Sequence, residues 1–160
     1  MKSRTVLIGI TMTVTLVMAG ALPAQGQEPL FGTWKLNIAK SNYSPGPMPR
    51  SNIAKWEEFQ GGVKLTVDSE PADGKGVHYE SSGKFDGKDN PITGNNPDGD
   101  TVAFTKKDSR TYEVVNKKGG KITIKSRIAV ASDGKTRVTT QTGTNGKGQP
   151  VHITMVYEKQ

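Results

Sequence analysis

The feature that most narrows the choice of fold is a run of short alternating segments cut at regular intervals by glycine-containing turns. Val63, Leu65 and Val67 alternate with Lys64, Thr66 and Asp68. Val77, Tyr79, Ser81, Gly83 and Phe85 alternate with His78, Glu80, Ser82 and Lys84. Ile122, Ile124, Ser126, Ile128 and Val130 form the longest apolar set, and Val151, Ile153, Met155 and Tyr157 the last. A period of two places each set on one face of a strand. The punctuation is Gly61-Gly62, Pro71-Ala72-Asp73-Gly74, Asp108-Ser109, Gly119-Gly120, Asp133-Gly134 and Asn145-Gly146, all turn chemistry. Strands joined this way form an antiparallel meander, and an open meander leaves two unpaired edges that closure removes. The expectation is an all-β fold: a single antiparallel up-and-down β-barrel of about eight to ten strands.

Three stretches fit the alternation less well. In Ile53–Gln60, Trp56 and Phe59 lie three apart, so one ring points outward or the strand carries a bulge. Ile38–Asn52 contains Ser44-Pro45-Gly46-Pro47-Met48-Pro49, which cannot sit in a ladder and reads as a loop or edge crossing, with at most one helical turn near Ala39. Asp86–Asp100 is rich in Asp, Asn, Gly and Pro and reads as one long loop. Between Asp133-Gly134 and Asn145-Gly146, Val138, Thr140 and Thr142 are taken as the inner face.

The first 26 residues do not read as part of the barrel. Lys2 and Arg4 precede the apolar run Val6–Met18, and small residues follow to Gly26, which is the layout of a secretory signal peptide. The run is too short for a membrane span and is interrupted by Thr11, Thr13 and Thr15. Cleavage before Gln27 is favoured, with Ala19-x-Ala21 as a second site, so the domains are 1–26 (signal) and 27–160 (barrel). The protein is then expected in the periplasm or outside the cell. The 160-residue chain has no Cys and a net charge of +7, so neither disulfides nor a lipid-modified Cys contributes. Removing Lys2 and Arg4 leaves about +5 on the mature chain. Its Lys residues lie beside turns or alternate along strands, as on a solvated face, and aromatics are only 6% of the chain, which argues against a nucleic-acid groove.

The segment Gly32-Thr33-Trp34-Lys35-Leu36-Asn37, followed by a long first loop and a meander, resembles the opening of lipocalins and related calycin barrels. That resemblance implies that Trp34 packs across a closed end, that Gly32 lets the chain bend before the indole, and that the first loop acts as a lid. The chain departs from the pattern in having no Thr-Asp-Tyr-like phrase midway, no Arg in the last strand to stack on the Trp (only Lys159 is near), no Cys pair and no C-terminal helical stretch. From Gly32 to Lys159 the chain also resembles a group of small secreted bacterial proteins, through Ala39-Lys40-Ser41, Ser44-Pro45-Gly46-Pro47, Asp86-Gly87-Lys88, Ser132-Asp133-Gly134-Lys135-Thr136 and Tyr157-Glu158-Lys159. That likeness implies a shared architecture and no activity.

Motifs for chemistry are sparse. His78 and His152, with Glu80 or Glu158 as a third ligand, are the only zinc candidates, and solvent-facing imidazoles are the simpler reading. Asn96-Pro97-Asp98-Gly99-Asp100 spaces oxygen ligands as calcium loops do, but an EF-hand needs Gly and Glu where Thr101 and Lys107 stand. Glu57 and Glu58 are adjacent and so point to opposite faces, unable to act as one acid–base pair. No nucleophile elbow or phosphate loop is present, so no catalytic residue, metal or cofactor is assigned. What remains is hydroxyls among aliphatics. Tyr79, Ser81, Tyr112, Ser126, Thr140 and Tyr157 are the candidate ligand-binding residues, suited to a small apolar molecule in the barrel interior. The alternatives are a loop-mediated protein-binding module or exported inhibitor acting through the pre-stiffened Ser44–Arg50 segment, and a barrel enzyme.

Overall fold

The computed structural model describes residues 28–160; the signal-peptide reading of 1–26 lies outside the described residues. The described residues form eleven strands: β1 (Gly32–Asn42), β2 (Ser51–Phe59), β3 (Gly62–Glu70), β4 (Val77–Gly83), β5 (Asp86–Pro91), β6 (Thr93–Gly94), β7 (Thr101–Lys106), β8 (Thr111–Lys118), β9 (Lys121–Val130), β10 (Thr136–Thr144) and β11 (Pro150–Lys159). They form one antiparallel sheet in the order β5-β7-β8-β9-β10-β11-β1-β2-β3-β4-β6. Its two edges, β5 and β6, are separated in the chain by Ile92 alone. The sheet therefore curls round until one short run of chain, pairing with β7 on one side and β4 on the other, nearly closes it into a barrel. The described residues contain no helix, and so none long and apolar enough to cross a membrane.

That closing run falls within Asp86–Asp100, which is therefore not one loop. Only residues 95–100 are. The sequence Asp86-Gly87-Lys88-Asp89-Asn90-Pro91 has no apolar residue and is almost wholly exposed, so hydropathy carries no sign of a strand there. Its backbone pairs with β7 nonetheless, from Asp89 opposite Ala103 to Pro91 opposite Thr101. The other side of the seam is tight. Gly94 has φ +98°, and a Cβ there would come within 2.3 Å of the His78 carbonyl oxygen, a conformation and a space that only glycine fits.

Two further details differ from the sequence expectation. The β2–β3 hairpin turns on Gln60-Gly61, with φ of 50° and 70°, rather than on Gly61-Gly62. Two left-handed residues make a tight turn that matches the strand twist. The resulting register sets Trp56 opposite Leu65, both buried, and leaves Phe59 outside. Ala39 belongs to β1, not to a helical turn. The ladder to β11 slips between Asn37 and Asn42, and the Ser41 hydroxyl fills the slip, donating to the Asn37 carbonyl at 2.7 Å and accepting from Val156 N at 3.0 Å.

One end of the barrel is sealed. Trp34 is fully buried and donates its indole N–H to the Leu30 carbonyl at 2.8 Å. Leu30 is buried with it, and the Lys159 ammonium lies 5.1 Å from the ring centroid. Glu28 pairs with Lys106 at 2.9 Å and accepts a hydrogen bond from the Tyr112 hydroxyl. The N-terminal residues thus bar this end, and two cations flank the indole, Lys159 from β11 and Arg137 from β10, its guanidinium carbon 5.4 Å from the ring centroid. All of this fits a lipocalin-like form.

Candidate functional site

The barrel is not filled. A cavity of about 280 Å³ lies between the strands, room for roughly nine waters at about 30 Å³ each. Strand parity makes its walls. Leu65 and Val67 of β3, Ile128 of β9, and Ile153 and Met155 of β11 all point inward and are buried. Where the strands end, the mouth is built from Tyr43, Pro47 and Pro49 of the β1–β2 loop and Asn96, Pro97 and Asp98 of the β6–β7 loop. The Pro-rich segment therefore borders the cavity opening, and of Asp86–Asp100 only the last part does.

The floor is polar, and its centre is a residue that hydropathy had placed outside. β10 turns Arg137, Thr139 and Gln141 inward, while Val138 is exposed and Thr140 and Thr142 face out with it. The ladders on both sides enforce this. Arg137 lies opposite Val130 and Tyr157, and Thr139 opposite Ile128 and Met155, all buried. Arg137 is only 3% exposed. Its guanidinium carbon sits 3.9 Å from the centroid of the Tyr157 ring and 5.4 Å from that of Trp34, close enough for cation–π attraction to both. Its one hydrogen bond among the described residues runs from Nη1 to Thr139 Oγ1 at 2.8 Å. Burial pushes its pKa down to about 10, so at neutral pH it is still a cation.

Around it stand phenols and amides. The Tyr157 hydroxyl donates to Asn52 Oδ1 at 2.8 Å, Tyr43 to the Met155 sulfur at 3.1 Å, and Gln141 Nε2 to Ser126 Oγ at 3.1 Å. Burial raises the pKa of Tyr43, Tyr79 and Tyr157, with the Tyr157 phenol adding to the effect on the first two. Among the described residues, two buried side-chain polar atoms have no hydrogen-bond partner, Arg137 Nε and Trp56 Nε1, and both residues line this cavity.

Of the six residues expected to face a ligand, Tyr79, Ser126 and Tyr157 line the cavity. Ser81 is buried but satisfied, donating to the Pro91 carbonyl at 2.9 Å across the closing seam. Tyr112 is at the sealed end, bonded to Glu28. Thr140 is on the outer face, because the register of β10 puts its neighbours Arg137 and Thr139 inside. Sequence reasoning missed Arg137, Thr139, Trp56, Asn52 and Gln141 as lining residues. The available signal was the register of the flanking hairpins, since a residue paired with inward Val130 and Tyr157 must itself point inward.

The other motifs lie elsewhere. His78 is exposed, its Nδ1 2.6 Å from Asp68 Oδ1, and His152 is exposed on β11. Asp98 and Asp100 of the calcium-like stretch accept from Gly146 N and Gly119 N, each at 2.8 Å, so they tie neighbouring turns together. Among the described residues no group of three or more His, Asp or Glu is placed to hold a metal ion. Compared with known proteins, the chain matches no protein-family model and none of the curated proteins.

Proposed function

We propose that the protein is an exported carrier or sensor, and that its barrel takes a small molecule with an apolar body into the cavity. The observation that carries this reading is the cavity itself: Leu65, Val67, Ile128, Ile153 and Met155 interspersed with polar groups, Arg137 among them, and the Pro-rich loop at its border. A concave apolar wall with a few placed polar groups is what a small-molecule site needs. Tyr43, Pro47 and Pro49 border that opening, which connects the stiff loop to ligand entry more directly than to a separate inhibitory contact. Lipocalin-like kinship rests on form alone, so no ligand class is borrowed from it. Export rests on Lys2, Arg4 and the Val6–Met18 run.

Native mass spectrometry of protein purified from its own host, followed by displacement of a fluorescent lipid, tests the ligand. A co-purifying small molecule that the titration displaces is the expected result. An empty protein that takes up no fluorescent lipid would refute the carrier. Intact-mass measurement of the exported protein tests the leader, with a chain beginning near Gln27 expected. A secreted product that retained residues 6–18 would overturn both the localisation and the start of the domain.

A further inference from the structure

We propose that the ligand is a monocarboxylic acid, its carboxylate paired with the Arg137 guanidinium on the cavity floor and its apolar body lying along the aliphatic wall towards the mouth. The inference rests on the reading of the cavity as a ligand site and gives that site its chemistry.

A buried cation normally has an anion beside it, because leaving it unpaired in a low-dielectric interior is unfavourable. Arg137 has none. Among the described residues no carboxylate comes within 4.0 Å of it. The one acidic residue on the cavity lining, Asp98, is at the mouth and already accepts from Gly146 N. A guanidinium has five N–H donors, and here a single one is used, towards Thr139. Nε is among the atoms without a partner. The aromatic faces of Tyr157 and Trp34 hold the group in place but satisfy no N–H. The arrangement lacks an acceptor with two oxygens, and the planar fork of arginine matches a carboxylate through two parallel hydrogen bonds.

Charge and number narrow the class further. Among the described residues Arg137 is the only cationic side chain on the lining, so one negative charge neutralises it and a second would itself be buried unpaired. This favours a carboxylate over a dianionic phosphate ester. Trp56 adds a second unpaired donor on the same lining, and Leu65, Val67, Ile153 and Met155 give the wall an apolar stretch among its polar residues. A single anionic head on an apolar chain suits the lone guanidinium and that apolar stretch.

The test is calorimetric titration of the mature chain with decanoic acid, decan-1-ol and decyl phosphate, at pH 7.5 and below the micellar range. The acid should bind at least about tenfold more tightly than the alcohol, the scale of a charge-assisted hydrogen bond, and more tightly than the phosphate. In Arg137→Met the acid preference should vanish while the alcohol still binds. Arg137→Lys, which keeps the charge without the fork, should retain part of it. Equal affinity for acid and alcohol in the unaltered protein would overturn the carboxylate and leave the apolar-ligand reading standing. Binding of neither would overturn both. Tighter binding of decyl phosphate than of the acid, or an acid preference that persists in Arg137→Met, would also overturn the proposal.

Discussion

Arg137→Met should make the empty barrel more stable. The guanidinium is 3% exposed and has no counter-ion among the described residues. Burial lowers its pKa to about 10, and a fall of that size corresponds to about 3 kcal/mol lost by the charged form on leaving water. At pH 7 the group is charged whether the chain is folded or not, so the whole penalty bears on the folded state. Against it stand the contacts with Tyr157 and Trp34, together worth about 1–2 kcal/mol, and the hydrogen bond to Thr139. Methionine has a similar length, fills much of the same space and replaces the cation–π contact with a sulfur–aromatic one to the Tyr157 ring. Burial of the methionine thioether and methyl offsets the lost hydrogen bond, so the net expectation is a gain of about 1–2 kcal/mol, in line with other replacements of buried charges by apolar side chains. For a domain of this size that raises Tm by about 3–10 °C. Urea unfolding of the ligand-free, mature protein and its variant, followed by tryptophan fluorescence, measures it, with an unchanged m-value as the check that compactness is the same. A loss of about 1 kcal/mol or more would refute the reasoning, because Arg137 would then be a strut between two rings rather than a charge held at a cost.

Trp34→Ala should cost about 3–5 kcal/mol, because the fully buried indole seals one end and satisfies the Leu30 carbonyl; a change under about 1 kcal/mol in urea unfolding would contradict the sealed end. All four tyrosines have raised pKa values, with burial the first cause in each. Their contribution to stability is therefore complete below the unfolded value near 10 and is lost as pH rises through the folded values, so absorbance at 295 nm should show phenols ionising only together with unfolding, above pH 10. A tyrosine that titrates at pH 10 in the folded barrel would count against this. Gly94→Val should cost at least about 2 kcal/mol, since φ is +98° and the His78 carbonyl oxygen occupies the Cβ position, and it should speed amide exchange along β4. Gly76→Ala, with nothing within 4 Å of its Cβ, should stay within about 0.5 kcal/mol, and equal costs for the two would refute the tight seam.

Most of the barrel was legible because burial on one face writes a period of two into a strand. Val63, Leu65 and Val67, or Val151, Ile153, Met155 and Tyr157, leave no other reading, and each set is buried. The signal fails where a strand is held by its backbone alone. β5 has no apolar side chain, yet it pairs with β7 and leads directly into β6, which pairs with β4. Its role follows from pairing geometry, which a single sequence does not display.

The site was legible only in part, and β10 shows why. Its single strongly apolar residue, Val138, suggests a parity in which Thr140 and Thr142 also face inward, and the structure has the opposite. A shift of one residue would move Val138 into the core and release Arg137 to solvent, which transfer energies alone favour. The ladder forbids it. β10 pairs with β11 from Thr136 through Thr144, and with β9 from Arg137 through Gly143. Neither neighbour can slip without exposing its own buried face, Ile124, Ile128 and Val130 on β9 or Val151, Met155 and Tyr157 on β11. The arginine is thus held inside against its own preference for water. Packing contributes only the ring contacts in return. A local violation of this kind, with two unpaired donors on one cavity lining among the described residues, is the observation on which the proposed ligand rests.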